Sequence, residues 1–89
     1  MTKNDAILAA TVLWKKWVSL RPAVGHNGYL QQSDSMEDYR FYDLPKLHEV
    51  ILHEYRWHRT GKSTATPSLQ REVRGELILL GKIRKALAA

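Results

Sequence analysis

Residues 67–88 read PSLQREVRGELILLGKIRKALA, and within them Leu69, Val73, Leu77, Leu80, Ile83 and Leu87 recur at steps of four, four, three, three and four. At about 100° per residue, such steps gather on one side of an α-helix. The spacing therefore predicts a helix from about Pro67 to Ala88, with Leu77 and Leu80 as core residues. Thr66 or Ser68 is placed to cap it, and Pro67 suits its first turn. Arg71, Arg74, Lys82 and Lys85 fall opposite the stripe within an arc of about 80°, with Ile78 in the middle of that arc. Glu72 and Glu76 lie toward the apolar side instead. Gly75 and Gly81 weaken a helix by roughly 1 kcal/mol each relative to alanine, and are expected to mark close helix packing or a bend.

Two more helices follow from the same signals upstream. Asp43 is a cap, Pro45 fits a first turn and Gly61 closes a segment in which Leu44, Leu47, Val50, Ile51, Tyr55 and His58 share a face. Trp57 stands about 110° from the centre of that face, which makes it the expected exposed tryptophan. The first helix is expected from about Asp5 to Leu20, capped by Thr2 or Asn4 and stopped by Pro22. Its inward face would carry Ile7, Ala10, Leu13, Trp14, Trp17 and Leu20, with Leu8 and Val12 behind. Between these helices, residues 21–43 contain a turn signal at Gly25-His26-Asn27-Gly28 and a helix-start signal at Ser35 to Asp38. A short helical turn near 36–41 is expected, with a brief strand at Tyr39 to Tyr42 as the alternative. Tyr29, Leu30, Tyr39, Phe41 and Tyr42 would pack this segment down. The fold class is thus all-α: one domain over residues 1–89, a small bundle of three main helices with a short helical or irregular segment between the first and second.

The charge is unevenly placed. Residues 1–54 carry six Lys/Arg against seven Asp/Glu, whereas residues 55–89 carry eight against two, within an overall charge of +5. A basic C-terminal portion is a footprint for nucleic acid or an acidic protein surface. The chain has no cysteine, which suits a reducing compartment and removes thiolate zinc sites. Met1-Thr2-Lys3-Asn4-Asp5 lacks the order of a secretory signal, and Lys15 and Lys16 interrupt the apolar stretch that follows. A cytoplasmic protein with no membrane contact is expected.

Chemical motifs fail on spacing. Gly61-Lys62-Ser63 resembles the end of a phosphate-binding loop, but the glycine required five residues earlier is Arg56. His48 and His53 are five apart, and so are His53 and His58, which turns each pair about 140° away from a shared metal. Glu76 sits among apolar residues, where it reaches either solvent and Arg84 or a buried partner such as His58 or a tyrosine. No serine, histidine and acid suggest a triad. The expectation is a non-enzymatic protein without cofactor or metal.

Two readings of function remain. In the first, Arg71, Arg74, Lys82 and Lys85, assisted by Arg56, Arg59 and Lys62, contact nucleic-acid phosphates. The seven-residue connector before the third helix exceeds a helix-turn-helix turn, so backbone contact is expected over base reading. Trp14 and Trp17 flank Lys15 and Lys16, and Trp57 adjoins Arg56, an interleaving that can stack bases when exposed. In the second reading, the same cations meet an acidic protein or ribonucleoprotein surface, anchored by Trp57 and the tyrosines. In size, basic helical make-up and lack of catalytic motifs the chain resembles accessory proteins of phages and other mobile elements, giving this reading the form of an adaptor or inhibitor. Leu8, Val12, Ile78 and Leu79 lie off the main stripes and need cover from residues 21–43 or another chain, a homodimer included.

Overall fold

The computed structural model describes residues 1–24, 38–60 and 67–88. Helix α1 spans Lys3–Val24, a single 3₁₀ turn spans Tyr39–Phe41, α2 spans Leu44–Arg59 and α3 spans Pro67–Ala88. No strand occurs among the described residues. The protein is a small all-α bundle in which α1 and α2 both pack on α3 and meet each other less.

Local chemistry sets the helix ends. The Thr2 hydroxyl accepts from the Asp5 backbone N–H at 3.1 Å, and the Asp5 carboxylate accepts from the Thr2 N–H at 3.3 Å. This reciprocal pair satisfies two backbone donors at the start of α1. Hydrogen bonds from Thr2 hold the Asp5 carboxyl below its usual range. Asp43 caps α2 by accepting from the Lys46 N–H at 3.0 Å, with Pro45 in the first turn. Asp38 caps the 3₁₀ turn through the Arg40 N–H at 3.1 Å and also binds the Arg40 guanidinium at 2.7 Å.

Helix α1 departs from expectation at its end. It continues through Pro22 to Val24 rather than stopping at Leu20. Proline's fixed φ is helical, so the chain can continue through it, at the loss of the hydrogen bond its N–H would have made. The Gly25–Gly28 turn, the packing of Tyr29 and Leu30, the Ser35 cap, the Gly61 closure and the Thr66 cap lie outside the described residues.

One apolar cluster joins the elements: Ala6, Ala10, Leu13, Trp14, Trp17 and Val18 of α1, Leu47, Val50 and Ile51 of α2, Val73, Leu80 and Ile83 of α3, and Tyr42. The buried arc of α1 is about 140° wide, because it is covered by α3 and also by the 3₁₀ turn. Trp14 stacks on Tyr42 with ring centroids 5.1 Å apart. The Tyr42 hydroxyl donates to Thr11 Oγ1 at 3.2 Å, and Thr11 donates to the Ile7 carbonyl at 2.9 Å. Expectation and structure part at several apolar residues: Ile7 and Leu20, expected inward, are only partly buried, whereas Ala6 and Val18 are core residues. Phe41 is 65% exposed instead of packing the loop. Leu69, at the first turn of α3, is 40% exposed and lines a cleft with Trp17, Leu20 and Val73. Leu77 is only half-buried, beside the fully buried Leu80.

Candidate functional site

Helix α3 sorts its charges by side. Arg71, Arg74, Lys82 and Lys85 are all exposed on the side away from the core, and Ile78 between them is 55% exposed. None of the four forms an ion pair within the described residues. Over about 20 Å of helix they present positive charge with no acid among them.

The two acids of α3 are engaged elsewhere. Lys16 Nζ of α1 lies 2.6 Å from Glu76 Oε2 and 3.0 Å from Glu72 Oε1. Burial pulls the Lys16 ammonium down, but the Glu76 and Glu72 carboxylates outweigh it and hold its pKa above the ordinary value. The Glu76 side chain is 11% exposed, and its Oε1 is buried without a hydrogen-bond partner. Glu76 therefore meets neither Arg84 nor His58 nor a tyrosine, the partners its sequence position suggested. A carboxylate on an apolar stripe signals a cation from another helix, but sequence spacing could not single out Lys16. His58 takes an acid from its own helix instead, with Nε2 3.3 Å from Glu54 Oε1.

The tryptophans divide sharply. Trp14 and Trp17 are 5% and 2% exposed and are core residues, so they offer no stacking platform, whereas Trp57 is 46% exposed. Arg56 and Arg59 are exposed on α2, and the Arg59 guanidinium lies 5.7 Å from the centre of the Tyr55 ring. At about 100° per residue, Arg56, Trp57 and Arg59 point in three directions rather than along one line. Arg56 faces away from the core on the back of α2, as the α3 cations do on α3. Lys62 lies outside the described residues.

An open cleft of about 380 Å³ is lined by Met1, Lys82, Lys85 and Ala86. A cleft of about 200 Å³ is lined by Lys16, Trp17, Leu20, Glu54, His58 and Leu69 with Val73, below the usual size of a small-molecule site. Among the described residues, no three His, Asp or Glu side chains are grouped to hold a metal ion. No described helix is long and apolar enough to cross a membrane. Comparison of the chain with protein-family models, with curated proteins and with solved structures yields no match.

Proposed function

We propose that this protein is a small, cytoplasmic, non-enzymatic nucleic-acid-binding module whose contact surface is the outer side of α3. One observation carries the reading: Arg71, Arg74, Lys82 and Lys85 share one side of α3 with no ion pair among the described residues, while the only acids of the same helix are bound to Lys16. Uncompensated cations on one side of a helix fit nucleic-acid phosphates, and each one engaged releases condensed counterions. Arg56, Arg59 and Lys62 are further cations of the chain that would assist.

Arg74→Glu with Lys82→Glu tests it. The double variant should keep the helical circular dichroism spectrum and change stability by less than about 0.5 kcal/mol, since both positions face solvent. Its affinity for duplex DNA should drop, and the slope of log affinity against log salt should flatten by about 1.8, at about 0.9 per lost phosphate contact. A folded double variant with unchanged affinity at low and high salt would remove this surface from consideration.

Exposed aromatics favour a second reading. Trp57 and Phe41 are 46% and 65% exposed, and such rings are common anchors in protein interfaces. Here the basic side of α3 would dock on an acidic protein or ribonucleoprotein surface, and nuclease treatment would leave the captured complex intact.

A further inference from the structure

We infer that the outer ridge of α3 is shaped to lie in the major groove of B-form DNA with Ile78 toward the groove floor, an assignment that rests on the nucleic-acid reading above. Around the helix axis, Ile78 stands at the middle of the basic arc. Arg71 and Lys82 lie about 20–40° to one side of it, and Arg74 and Lys85 about 20–40° to the other. A surface that tracked one phosphate strand would gain nothing from an exposed isoleucine among its cations. Two cationic flanks about an apolar midline instead match a groove with a phosphate strand on each wall and thymine methyl groups on its floor. The dimensions agree, since a helix with side chains is about 10–12 Å across and the groove is about 12 Å wide.

The glycines point the same way. Gly75 and Gly81 fall about 60° to either side of Ile78, on the two shoulders of the basic arc. Both are exposed, and a Cβ built on either meets nothing within 4 Å. Packing against α1 or α2 therefore does not require glycine at these positions, which leaves close helix packing, one of the two alternatives beside a bend, without support. A missing Cβ on each shoulder lets a DNA strand approach the helix backbone closely. With α1 and α2 packed on α3, Ile78 remains 55% exposed, and Met1 shares an open cleft with Lys82 and Lys85 at one end of the ridge. The base contact involved is a single methyl–methyl contact, which gives a preference for thymine rather than a full sequence code.

Fluorescence anisotropy on three duplexes of one A·T-rich sequence tests this: DNA, the same DNA with deoxyuridine replacing every thymidine, and RNA. Losing the C5 methyl should weaken wild-type binding by roughly fourfold per methyl contacted. Ile78→Ala, folded as judged by its melting temperature, should respond less than wild type to that replacement. Duplex RNA, with its narrow major groove, should bind more weakly than DNA. Equal wild-type binding to the thymidine and deoxyuridine duplexes overturns the groove-floor assignment and leaves phosphate contact standing. So does an RNA duplex bound as tightly as DNA, or an Ile78→Ala variant as sensitive as wild type. Failure to bind any of the three at low salt removes both readings.

Discussion

Glu72 and Glu76 on one shoulder of α3 and the four cations on its back belong to the same helix, yet the fold treats them oppositely. The carboxylates are drawn to Lys16 of α1 and help hold two helices together. Arg71, Arg74, Lys82 and Lys85 are exposed and form no ion pair among the described residues. A charge neutralised within the bundle contributes to folding and is no longer available to a partner. A charge left facing solvent contributes little to folding, and retains its full field for an incoming anion. The apolar residues divide in the same way, with Leu80 fully buried and Ile78, two residues earlier, largely exposed.

Leu80 and Ile78 offer the strongest way to break this comparison. Leu80→Ala should cost about 2–5 kcal/mol in urea or thermal denaturation, enough to approach the whole stability of so small a protein. Ile78→Ala should stay within about 0.5 kcal/mol, and Leu77→Ala, half-buried, should fall between them. Equal losses at Leu80 and Ile78 would mean that α3 is rotated from the orientation described.

A smaller effect is expected at the inner shoulder. Lys16→Met strands a Glu76 carboxylate that is only 11% exposed, at a cost of about 1–2 kcal/mol once partial solvent screening is allowed for. The pH dependence gives a sharper signature. The folded pKa of Lys16 is raised above its ordinary 10.5, so its contribution is complete below that value and disappears as pH rises through the folded pKa. The gap in stability between wild type and Lys16→Met should therefore be constant near neutrality and close on the alkaline side. A gap that stays open above that range would show that the lysine acts through its apolar stem alone.

The smallest expected change carries the opposite sign. Gly75→Ala and Gly81→Ala should each raise stability by about 0.5–1 kcal/mol, since alanine is the better helix former and has room at both positions. Calorimetry checks this directly. If the ridge enters a groove, the stabilised double variant should also bind DNA more weakly, so that stability and affinity move apart. A loss of stability at either position would instead point to a close contact on that shoulder.

Much of the bundle was legible from residue order. The stripe of α3, the Asp43 cap with Pro45, the Thr2 cap and the inward tryptophans Trp14 and Trp17 all follow from interactions within a few residues of one another. The misreadings also have local causes. Pro22 is a stop signal by local sequence, yet its φ is compatible with a helix and α1 runs on to Val24. Phe41 has the composition of a core residue, but its neighbour Tyr42 takes the place against Trp14. Of the candidate surface, the four cations of α3 could be read from periodicity alone. The separate directions of Arg56, Trp57 and Arg59 were implicit in the same periodicity.

By itself the sequence determined three helices, the caps that start α1 and α2, and which side of each is apolar or basic, because those properties depend on steps of three and four residues and on side chains beside the helix ends. Only the tertiary structure decided which charges would be consumed. Lys16 and Glu76 are sixty residues apart along the chain, and their meeting depends on how far α1 is shifted and rotated against α3. A periodic pattern leaves both quantities open, because sliding or turning one helix by a step presents a similar apolar face. Side-chain packing around Trp17, Val73 and Leu80 selects one arrangement. That arrangement ties both acids of α3 to α1 and leaves the opposite side of the helix with positive charge alone.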